Sequence, residues 1–95
     1  MAVTFNIPGP LRQHTQGRSQ VEVKVAAATV AEALAALWQA YPGLRDRVLT
    51  EQGEVRQHVN IFVGEENIRG HGLFAAAVKN GATITIVPAV SGGSP

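Results

Sequence analysis

Few side chains in this sequence are equipped for bond-making chemistry. Cysteine is absent, which removes disulfide scaffolds, thiolate metal sites, cysteine nucleophiles and persulfide carriers together. His14, His58 and His71 are far apart and none has the short spacing of a metal-ligand pair; they read as surface or turn residues. Glu65-Glu66 could act as acid and base, but a solvated hairpin tip accounts for the pair. Arg45-Asp46-Arg47 reads as a solvated charge run, and Gly70-His71-Gly72 lacks the strand-to-helix setting of a phosphate loop. What is left is Gly92-Gly93, between Ser91 and Ser94. Taken alone, the pair reads equally as a flexible tail and as a thread for a narrow slot, since glycine has no Cβ.

The composition bounds what can hold these residues in place. A chain of 95 residues builds one domain around a single core. With 45% apolar and 16% charged residues it is globular rather than disordered. A net charge of +1 gives no electrostatic footprint, so neither a nucleic acid nor an anionic membrane is expected as a partner. No apolar run approaches a membrane span, and Met1–Ile7 leads into Pro8 rather than into a signal-peptide pattern. The expectation is a soluble, cytoplasmic domain.

Hydrophobic periodicity supplies the elements. Val3, Phe5 and Ile7 alternate with polar residues, as do Val21, Val23 and Val25, giving two half-buried strands. Pro8-Gly9-Pro10 ends the first, and Leu11–Arg18 reads as a polar turn region. Thr29-Val30-Ala31-Glu32 fits a capping box. Val30, Ala33, Leu34, Leu37, Trp38 and Tyr41 then form one stripe of an amphipathic helix, stopped by Pro42-Gly43. Leu44–Gln57 reads as an irregular connection. Val59, Ile61 and Val63 resume the strand period, and Ile68-Arg69 begins a short strand. Leu73–Val78 makes at most a turn or two of helix before Asn80-Gly81, a left-handed turn, and Thr83–Val87 is the last strand. One helix across one face of a mixed sheet of four to five strands buries this pattern. That is the α+β arrangement of a β-grasp, or ubiquitin-like, domain, here residues 1–88, with 89–95 as a flexible tail.

The last strand and tail, Ile84-Thr85-Ile86-Val87-Pro88-Ala89-Val90-Ser91-Gly92-Gly93, resemble the C-terminal signature of the MoaD/ThiS sulfur-carrier family, with greatest similarity to its CysO-type members. Asn6-Ile7-Pro8 with Leu11-Arg12, and His58–Val63 with Ile68-Arg69, extend the resemblance over nearly the whole chain. The resemblance implies a reactant rather than an enzyme. A ubiquitin-activation-type adenylyltransferase would use ATP to adenylate the Gly93 carboxylate, which is then converted to a thiocarboxylate, and Gly92 would thread the slot. No cofactor is expected on the carrier itself, and any sulfur must sit on the main-chain terminus because the sequence has no thiol.

The implied acceptor is a pyridoxal-phosphate cysteine synthase. A molybdopterin synthase small subunit, an RNA-thiolation donor and a modifier joined to lysines through Gly93 remain as alternatives. This sequence departs from the family pattern in having Asn80-Gly81-Ala82 where Asp-Gly-Asp is common, in its balanced charge, and in Ser94-Pro95 after the glycines. The last departure implies cleavage between Gly93 and Ser94 by a JAMM-type metalloprotease. Phe62 lies on the strand face opposite Val59, Ile61 and Val63, and Val87 shares that outer face if the last strand lies alongside. The pair is expected to form the apolar docking patch for the activating enzyme.

Overall fold

A computed structural model describes residues 2–24, 29–68 and 73–88. Strands β1 (Ala2–Asn6), β2 (Gln20–Lys24), β3 (Val59–Val63), β4 (Glu66–Asn67) and β5 (Thr83–Pro88) form one mixed sheet in the order β2-β1-β5-β3-β4. β1 and β2 pair antiparallel as a hairpin. β5 lies between β1, which it pairs in parallel, and β3, which it pairs antiparallel. The described residues also form two helices, α1 (Val30–Ala40) and α2 (Pro42–Val48), and short 3-10 segments at Gly9–Thr15 and Leu73–Ala75.

Alternation decides which side chains face inward, since successive strand residues point to opposite faces. Val3, Phe5, Val21, Val23, Val59, Ile61, Ile84 and Ile86 are buried, and they share one cluster with Val30, Ala33, Leu34 and Leu37 of α1. The helix starts where the sequence placed it. The Thr29 side chain accepts from the Glu32 amide and the Glu32 carboxylate accepts from the Thr29 amide, a complete capping box. Trp38 and Tyr41 are half-buried against the edge of the core, and Tyr41 caps the helix.

Three local readings change. Leu11–Arg18 is largely a 3-10 helix rather than a plain turn, because Leu11 and Thr15 are buried under it. The Thr15 hydroxyl lies 3.2 and 2.8 Å from the carbonyls of Arg12 and Arg18, which satisfies it inside the protein. Leu44–Gln57 begins with regular structure. Pro42 ends α1 but opens α2, since proline lacks the amide that would go unpaired at a first helical position. Leu44 and Val48, four apart, are the residues α2 buries. The fourth strand is Glu66–Asn67, and Ile68 beyond it is a core residue; Arg69 lies outside the described residues.

His14 is half-buried in the 3-10 segment rather than at the surface, with Nε2 buried and unpaired. A Cβ at Gly43 would come within 3.0 Å of its Nδ1, so glycine lets α2 approach this segment closely. The Asn80-Gly81 turn forms as expected, with only Gly81 left-handed (φ 82°). The Asn80 Oδ1 accepts from the Ala2 amide at 2.9 Å, which ties the turn before β5 to the start of β1. Among the described residues no helix is long and apolar enough to cross a membrane.

Leu37 is fully buried at the centre of the α1 stripe. Leu37→Ala should therefore destabilise the fold by about 2–5 kcal/mol. Thr29→Ala, which removes only the cap, should cost about 1 kcal/mol. Urea unfolding of the two variants checks both the values and their order, and a Leu37 loss no larger than that of Thr29 would mean that α1 is wrongly phased.

Candidate functional site

The face of the sheet turned away from the helices is assembled from single residues on each strand. Gln20, Asn6, Thr85, Phe62 and Asn67 lie in one register row across β2, β1, β5, β3 and β4. Their polar members bond to one another. Gln20 Nε2 donates to Asn6 Oδ1 at 3.1 Å, and Asn6 Nδ2 donates to Thr85 Oγ1 at 3.0 Å. On the far side Asn67 Nδ2 donates to Asn60 Oδ1 at 3.1 Å. The row carries no charged side chain.

Phe62 stands in this neutral setting, half-buried and directly across from Thr85. Val87 pairs with Asn60, which makes Val87 the diagonal neighbour of Phe62 on the same face. Diagonal neighbours on a sheet are within reach when one of them is aromatic. Val87 is 40% exposed and is the only exposed large hydrophobic among the described residues. The structure thus brings Phe62 and Val87 together one residue before Pro88, where β5 ends beside Val59 at the start of β3. Gly92, Gly93 and Ser94, the residues expected to carry the chemistry, lie outside the described residues.

Beside this patch a groove of about 270 Å³ runs where β1 and β5 part company, lined by Pro8, Arg12, Thr85 and Val87 among others. Arg12 is exposed, and its Nε donates to the Ile7 carbonyl at 3.0 Å. Neither this groove nor the amide row was read from the sequence. The alternation of Asn6 and Thr85 marked both as outward, but nothing local showed that their strands are neighbours. Glu65 and Glu66 are exposed at the turn after β3, as expected of a hairpin tip. Arg45 and Asp46 make an exposed ion pair at 3.5 Å, an arrangement that contributes little to stability. Among the described residues no group of three His, Asp or Glu side chains is placed to hold a metal.

A five-stranded mixed sheet with its last strand in the middle, and one main helix across one face, defines a ubiquitin-like β-grasp protein. The chain belongs to the ThiS family, whose model matches residues 5–93. It is 37% identical to the sulfur carrier protein CysO of Mycobacterium tuberculosis over 95 residues, covering 98% of this chain and 100% of that protein. It is 39% identical over 67 residues to small archaeal modifier protein 3 of Haloferax volcanii, covering 70% of this chain and 71% of the relative. In the crystal structure of the Amycolatopsis orientalis BexX/CysO complex, one chain superposes on it with a TM-score of 0.83 at 37% identity, covering 96% of this chain and 99% of that one.

The inward and outward faces of β3 predict opposite responses to the same substitution. Phe62→Asp puts a carboxylate on the outer face and should cost about 1 kcal/mol or less. Ile61→Asp, one residue away but 1% exposed, should cost several kcal/mol because it buries a charge. Thermal melts of the pair decide the matter, and a comparable collapse in both would place Phe62 in the core.

Proposed function

We propose that this protein is a sulfur carrier whose Gly93 carboxyl is the reacting group. The observation that carries the reading is the full-length similarity to the sulfur carrier CysO, which runs through the Gly-Gly segment. A free carboxylate is a poor electrophile, so the first step is its attack on the α-phosphate of ATP in the active site of an adenylyltransferase. Pyrophosphate leaves, and the acyl-adenylate now has a good leaving group. A sulfide donor attacks the acyl carbon, AMP departs, and the chain ends in a thiocarboxylate. Its sulfur then takes the place of the activating group on a serine derivative held by a pyridoxal-phosphate enzyme, that group departs, and hydrolysis of the bond joining the new cysteine to the Gly93 carbonyl releases cysteine and restores the carboxylate.

The residues of this chain serve the sequence of steps in separate ways. β5 is held on both sides by β1 and β3, so the segment that leaves it starts from a fixed point. Phe62 and Val87 form the patch that docks on the activating enzyme, next to that point. Gly92 and Gly93 pass through a slot that any Cβ would obstruct. Ser94-Pro95 places the Gly93 carbonyl in a peptide bond, where it has no carboxylate oxygen to adenylate. Cleavage after Gly93 by a JAMM-type metalloprotease therefore precedes activation.

A second reading is favoured by the match to a small archaeal modifier protein. The same acyl-adenylate can be captured by a lysine amine instead of sulfide, which would join Gly93 to a target protein. The two readings share every step up to the nucleophile.

Forms of the chain ending at Gly93 and at Pro95, incubated with the activating enzyme, ATP and a sulfide source, test the proposal by intact mass spectrometry. The form ending at Gly93 should exchange one oxygen for sulfur, and the longer form should not. Gly93→Ala in the shorter form should slow the exchange, and Phe62→Asp should weaken ATP–pyrophosphate exchange while the protein stays folded. Sulfur uptake by the longer form without loss of Ser94-Pro95 would overturn the processing step. Failure of the shorter form with the activating enzyme would overturn the carrier reading.

A further inference from the structure

The patch of Phe62 and Val87 is apolar and its surroundings are neutral, so on its own it offers a partner contact area with little orientation. Arg12 supplies a directional group at its margin. Arg12 lines the groove between the ends of β1 and β5 together with Pro8, Thr85 and Val87. Its Nε is occupied by the Ile7 carbonyl, which fixes the plane of the fork. Among the described residues the structure gives its terminal nitrogens no partner and no carboxylate. An arginine held by Nε and open at both terminal nitrogens is arranged to grip a carboxylate end-on, with one bond from each terminal nitrogen.

We propose that Arg12 receives an aspartate or glutamate side chain of the activating enzyme, flanked by an apolar residue that covers Val87. This rests on the carrier reading and adds to it the chemistry of the partner's surface. Complementarity of charge identifies the occupant: the amide row beside the groove is uncharged, so a single acidic side chain there meets one cation and no competing anion. The triphosphate of ATP is not the occupant. Gly93 is six residues beyond Val87, and six residues drawn out in a slot span about 20 Å. An extended tail of that length would hold the reacting phosphate away from Arg12, so the role proposed for it is docking rather than catalysis. Fixing the fork in advance also lowers the ordering cost of forming the contact.

The test follows ATP–pyrophosphate exchange by the adenylyltransferase with the Gly93-ended chain, its Arg12→Glu and Arg12→Lys variants, at low and high salt. Arg12→Glu should raise KM roughly tenfold at low salt and leave kcat unchanged, because a charge at the rim of an interface acts mainly on encounter and register. The difference should shrink at high salt, where the screening length falls to a few ångströms. Arg12→Lys should recover only the salt-sensitive part of the loss, since an ammonium restores the charge but not the paired bonds of the fork. An unchanged KM for Arg12→Glu, with the parent chain active, overturns the inference and leaves the carrier reading standing. A loss that is equal at both salts and accompanied by a lower melting temperature also overturns it, since Arg12 then only props the Ile7 loop. If the parent chain is not adenylated at all, the carrier reading falls and the inference falls with it.

Discussion

The rest of the structure depends on the insertion of β5 between β1 and β3. The last strand of the fold is hydrogen-bonded on both edges, to the first strand in parallel and to the third antiparallel. A strand in that position has no freedom of register, because slipping by one residue would move Ile84 and Ile86 from the core to solvent. The same alternation that buries those two must turn Thr85 and Val87 outward. Burial of one face and presentation of the other are thus a single constraint. The closure joins segments almost a chain length apart, but loop-closure entropy rises only slowly with length, so the core can offset it.

The outer face is built to be easily desolvated. Gln20, Asn6 and Thr85 bond to one another, and Asn67 bonds to Asn60, so much of their hydrogen-bonding capacity is already met within the protein. Covering paired neutral amides loses less than covering isolated charges, whose removal from water is far more costly. Phe62 and Val87 stand among them as the apolar part of the same surface. A partner approaching this face displaces water from a region that holds it weakly. The charged residues of this face, Glu22 and Lys24, stand further along β2, away from the row of Gln20, Asn6, Thr85, Phe62 and Asn67.

Support for the sheet comes from groups whose roles are local. The capping box at Thr29 and Glu32 satisfies amides at the start of α1, and the Asn80 side chain fastens the turn before β5 to Ala2. The asparagine stands where related carriers commonly have aspartate, and its Oδ1 makes an acceptor contact open to either side chain. α2 extends the core past the end of α1 through Leu44 and Val48. Gly43 permits that helix to lie close against His14. Each of these contacts shapes the scaffold rather than the outer face of the sheet.

The sequence by itself determined whatever is written in periods and local chemistry. Val3 and Phe5, Val21 and Val23, Val59 and Ile61, and Ile84 and Ile86 each declared a strand with one buried face, because side chains alternate every residue. Thr29 and Glu32, three apart, declared the start of α1, since capping is a contact within a single turn. The missing cysteines and the Gly-Gly segment limited the chemistry before any fold was known. Short elements were less legible. α2 was hidden behind Pro42, whose meaning changes with position: it stops one helix and opens the next. The tertiary structure alone decided which strands are neighbours. Only strand order puts Phe62 opposite Thr85, Val87 diagonal to Phe62, and Arg12 in a groove beside them. Phe62 and Thr85 are 23 positions apart and Arg12 and Val87 are 75, and they meet through the pairing of whole strands, a global balance of burial and hydrogen bonding that no local window of sequence contains.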